Sequence, residues 1–136
     1  CDISYAVGFW ALRGVAPQRV LQSVASGLLG ATAFAGGWPT AVLGLALHFC
    51  IALLWAAGFC FLATRWPLLL QKAVSAGIVY GFLIFWVMNL VVLPLSAFPR
   101  KVTFPWLVLG TGLFVHMFFI GLPIALAARR IVPERN

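Results

Sequence analysis

The chain has 136 residues, of which 64% are hydrophobic and only 8% charged, against about 25% charged in ordinary soluble domains. A small globule exposes too much of its surface to hide this much apolar chain, and the apolar residues come in long runs. Composition therefore excludes a soluble domain and predicts an all-α, polytopic transmembrane helical bundle forming a single membrane domain.

In chain order, residues 1–12 read as the second half of a first span. Ile3 to Leu12 are too few for the roughly 20 residues a crossing needs. A chain starting at Cys1 rather than Met reads as a cut helix, with a lipid-modified N-terminal Cys beside Asp2 as the alternative. Arg13-Gly14 end this segment. Over 15–35, Pro17 suits a first helical turn, and Gln18, Arg19, Gln22, Ser23 and Ser26 recur on one face. Val20, Leu21, Val24, Leu28 and Ala31 take the other. This pattern predicts an amphipathic helix lying in the membrane interface, with a re-entrant segment packed against protein as the alternative.

Gly36-Gly37 break that helix, and Trp38-Pro39 open a full span, 38–64, at the aromatic belt. Arg65-Trp66-Pro67 close it, and a link carrying Gln71 and Lys72 leads to a second span, 73–98, where Pro94 predicts a kink. Pro99-Arg100-Lys101 form a turn. Phe104-Pro105-Trp106 start a third span, 104–128, and Arg129-Arg130 open a mostly polar tail, 129–136.

The net charge of +7 does not signal nucleic acid. All nine Lys and Arg lie between or after the apolar runs, where they meet lipid phosphates, and no basic face forms. Arg65, Lys72, Arg129, Arg130 and Arg135 on one side outnumber Arg13, Arg19, Arg100 and Lys101 on the other. That count places the C-terminus in the cytoplasm.

Within lipid the informative side chains are the polar ones: His48, Asn89 and His116. At about 1.5 Å per residue, all three fall roughly 13–17 Å deep, near the midplane. A glycine precedes each imidazole by four residues, in Gly44-xxx-His48 and Gly112-xxx-His116, and Gly77 and Gly81 form a GxxxG. Glycines so placed let helices approach closely. The structural reading of the layer is hydrogen bonding across helices. A proton or solute conduit is a functional reading, resting on imidazole's ability to exchange protons near neutral pH. A haem held by His48 and His116 is another, and the Phe-, Trp- and Gly-rich faces would suit docking onto a partner helix or a pigment.

Cys1, Cys50 and Cys60 have no metal-ligand spacing, and Cys50 points away from His48, so no metal site is expected. The only acids, Asp2 and Glu134, stand at opposite ends, and no nucleophile elbow, phosphate loop or HExxH occurs, so no catalytic residues are assigned.

The runs Leu43-Gly44 through His48 to Ala63 and Gly77 through Asn89 to Pro94 carry a resemblance, as do the phrases 88–95 and 121–125. Over residues 40–128 the chain resembles the YagU-like small bacterial inner-membrane proteins. The resemblance implies a four-helix inner-membrane protein with a helix upstream of Cys1; that family has no settled biochemical role, so no site residue transfers. The expected function is association, as an accessory subunit of a larger membrane complex with membrane lipid and other subunits as partners.

Overall fold

The computed structural model describes residues 4, 8–9, 11–12, 14–99 and 105–132. Most of the expected partial span over 1–12 therefore lies outside the described residues. So do Arg13, Arg100, Lys101 and the end of the tail, with Arg135.

Every described element is helical, and three helices are long and apolar enough to cross a membrane. The chain is an all-α, multi-pass membrane protein. Helix α1 is Pro17–Leu29, followed by a 3₁₀ turn, Gly30–Ala35. The spans are α2 (Gly37–Arg65), α4 (Ala73–Leu95) and α5 (Trp106–Ile131), with a single-turn α3 (Leu68–Gln71) before α4.

Local chemistry sets these limits. Pro17 begins α1, where its missing N–H costs nothing. Gly30 ends it at φ 64°, ψ −149°, a conformation essentially confined to glycine. The expected continuous helix over 15–35 is thus broken at Gly30 and finishes as a 3₁₀ turn. Gly37, at φ 62°, turns the chain into α2. Helix α4 stops at Leu95, short of the expected 98, because Ser96 is extended and its hydroxyl donates back to Leu93 O (2.8 Å). Helix α5 begins after Pro105 and continues past Arg129-Arg130, whose charges suit a helix C-terminus.

Two stretches are π-helical: Met88–Val92 inside α4 and His116–Gly121 inside α5. Pro94 follows the first and Pro123 the second. A proline supplies no N–H and its ring crowds the carbonyl four residues back, here Leu90 and Phe119. A turn widened by one residue relieves that conflict.

The described residues group into two compact units. The first draws on Cys1–Ile51 and Met88–Thr103. In it α1 packs on the start of α2 at Gly44, where an added Cβ would run into the Leu21 carbonyl. The far end of α1 is tied down by Ala97, whose N–H donates to Gly27 O (2.8 Å). The second unit draws on Ala52–Val87 and Phe104–Asn136. There α4 and α5 touch backbone to backbone. An added Cβ on Gly77 would lie 2.8 Å from Gly121 O, and one on Gly81 would strike His116 O. Phe59, Leu70, Ile84 and Ala125 fill the remaining core.

Candidate functional site

The expected layer of His48, Asn89 and His116 is divided between the units: His48 and Asn89 belong to the first and His116 to the second. His116 opens the π-helical stretch of α5, and its Nδ1 lies 2.8 Å from Gly112 O. A carbonyl only accepts, so Nδ1 carries a proton and donates this bond. This bond runs back along the residue's own helix and not across helices. The edge-to-face contact with Phe85, at 5.3 Å between ring centres, fixes the ring from the side. Gly112 makes that contact possible, since an added Cβ would lie 2.7 Å from the Phe85 ring.

Asn89 sits in the π-helical stretch of α4, half-buried, and His48 is half-buried beside Phe49 at 5.8 Å. Each engages a neighbour. Cys50 and Cys60 are free thiols, and among the described residues no three His, Cys, Asp or Glu side chains group as metal ligands.

Two polar centres fall outside the expected layer. In the second unit, the Tyr80 hydroxyl donates to Trp55 O (2.8 Å), joining α4 to α2, and its ring meets Phe59 edge-on at 5.0 Å. A tyrosine in an apolar run is a readable signal, because its hydroxyl needs a partner once buried.

In the first unit, α1 buries the polar Gln22 and Ser26 together with the apolar Val20 and Ala25, while Arg19 is exposed. Gln22 is 2% and Ser26 0% exposed, whereas Leu28 is 62% exposed. The Gln22 amide uses both hydrogens, donating to Gly37 O (2.9 Å) and Thr40 Oγ1 (3.2 Å), and Thr40 in turn donates to Ala33 O (2.7 Å). Ser26 donates to Ser23 O (2.7 Å), and Ser23 to Val20 O (2.6 Å). The Gln22 and Thr40 bonds satisfy the carbonyls of Gly37 and Ala33 where the 3₁₀ turn meets α2, which a low-dielectric surround would otherwise penalise by several kcal/mol each.

Beside this face lies a cavity of about 300 Å³ lined by Val15, Arg19, Val20, Ser23, Phe34, Phe98 and Pro99. The Arg19 guanidinium stands over the Phe34 ring at 5.7 Å. The lining comes from both ends of the first unit's sequence, which is why residue spacing gave no sign of it.

No family model, curated protein or solved structure matches the chain.

Proposed function

We propose that this chain acts by association in the bacterial inner membrane, as an accessory subunit of a larger membrane complex, in keeping with its resemblance to the YagU-like proteins. The observation that supports this reading is how the chain spends its polar groups. Every buried side-chain N or O among the described residues has a hydrogen-bond partner. His116, Tyr80 and Gln22 all bond to backbone carbonyls. A catalyst or conduit would aim such groups at a substrate or a water path; here they hold turns and helices.

What faces outward is shape. Phe118 and Phe119 each lean against Phe114 along α5, with ring centres 4.9 and 6.1 Å from it, and all three are exposed. Rings that brace each other present a fixed relief, and helix association in lipid depends on packing of that kind. Direct extraction of native membranes into copolymer nanodiscs tests the proposal. Particles should contain protein mass beyond the chain's own 14.8 kDa in fixed ratio. Particles holding one chain and lipid alone would defeat it.

A second reading, a small transporter or proton conduit, is favoured by one feature: Asn89 and His116 both sit in π-helical stretches, which recur at functional sites.

A further inference from the structure

We propose that the Arg19 cavity is a binding site for a phospholipid with an anionic head group, the phosphate at the guanidinium and the glycerol in the apolar remainder. Three observations carry this. First, the cavity is amphiphilic: one cation, one hydroxyl and five apolar side chains line it. The Ser23 proton is committed to Val20 O, so Arg19 is the donor left for an anion. Its planar fork matches phosphate oxygens two at a time.

Second, cations far outnumber acids in the chain. Nine Lys and Arg face two carboxylates, Asp2 and Glu134, neither among the described residues. Third, the cavity lies beside the end of a span, where head groups are expected. Phe98 and Pro99 follow within four residues of Leu95, where span α4 ends, and Arg19 sits in the first turn of α1. A phosphate reaches this level on a lipid anchored in the bilayer, and basic pockets at helix ends recognise anionic head groups in this way. The volume is that of about ten waters at ~30 Å³ each, enough for phosphate and glycerol, so the acyl chains remain in the bilayer.

Native mass spectrometry of the whole protein in mixed micelles of phosphatidylglycerol and phosphatidylcholine tests the site. The wild type should retain phosphatidylglycerol in preference to phosphatidylcholine. R19A should lower that retention about tenfold, the loss of one charge-assisted hydrogen bond. R65A removes the same charge from an arginine outside the cavity lining, one that lies over Phe61 at 5.2 Å, and should leave retention unchanged. S23F fills the cavity with the charge intact and should also lower it, while thermal unfolding confirms that each variant is folded. Equal loss in R19A and R65A would overturn the proposal, as would displacement of the lipid by inorganic phosphate or equal retention of the two lipids by the wild type.

Discussion

Glycine hydrogens set the closest approach in the second unit. Gly81 abuts the His116 carbonyl and Gly121 the Gly77 carbonyl, so one methyl group at either place must push the facing backbones apart. G81A and G121A should each destabilise the protein by about 1–3 kcal/mol in mixed-micelle unfolding, the usual cost of overpacking. Gly110 lies in the same α5, with no atom within 4 Å of an added Cβ, and G110A should be neutral or stabilising by up to ~1 kcal/mol. Equal losses at Gly81 and Gly110 would show that close approach is not what these glycines provide. At Tyr80 the ring packs on Phe59 and Trp55 while the hydroxyl holds Trp55 O. Y80F keeps the packing and loses the bond, so unfolding should detect a loss of about 0.5–1.5 kcal/mol, and no change would remove the hydroxyl from the account.

At the scale of elements, α1 departs most from its sequence. Periodicity shows that it has a polar and an apolar face, but not which face meets protein. In water the polar face goes out; where lipid is the surround, an outward leucine costs nothing and a polar side chain does better against backbone carbonyls. That is how Gln22 and Ser26 come to be buried. In a background with the native cysteines replaced, S26C should resist an impermeant maleimide while R19C reacts. Equal labelling of both would show that Ser26 is not buried against the rest of the unit. The three spans are legible because lipid demands long apolar runs, and their ends are legible from prolines and cations. The π-helical stretches are less so, since a turn wider by one residue leaves the apolar pattern of an all-apolar helix unchanged. Pro94 signals a disturbance in the first of them, and Pro123 stands in the same relation to the second.

For the whole molecule, three spans of 29, 23 and 26 residues lie in an environment where unpaired polar groups are costly. The sequence shows which strongly polar residues fall inside the apolar runs, His48, Asn89 and His116, but not their partners, because hydrogen-bond direction depends on rotamers and neighbours that spacing does not encode. His116 illustrates this: it bonds Gly112 in its own helix, where a bond across helices was expected. The cavity beside α1 is beyond reach for a related reason, since Arg19, Phe34 and Phe98 meet only through the fold. The central claim is that intramembrane polar groups hold the structure and do not carry traffic. Dissipation of an imposed pH gradient by proteoliposomes, with wild-type protein and with H116L, tests it most directly. The account predicts that both match protein-free vesicles; a wild-type leak that disappears in H116L would contradict it.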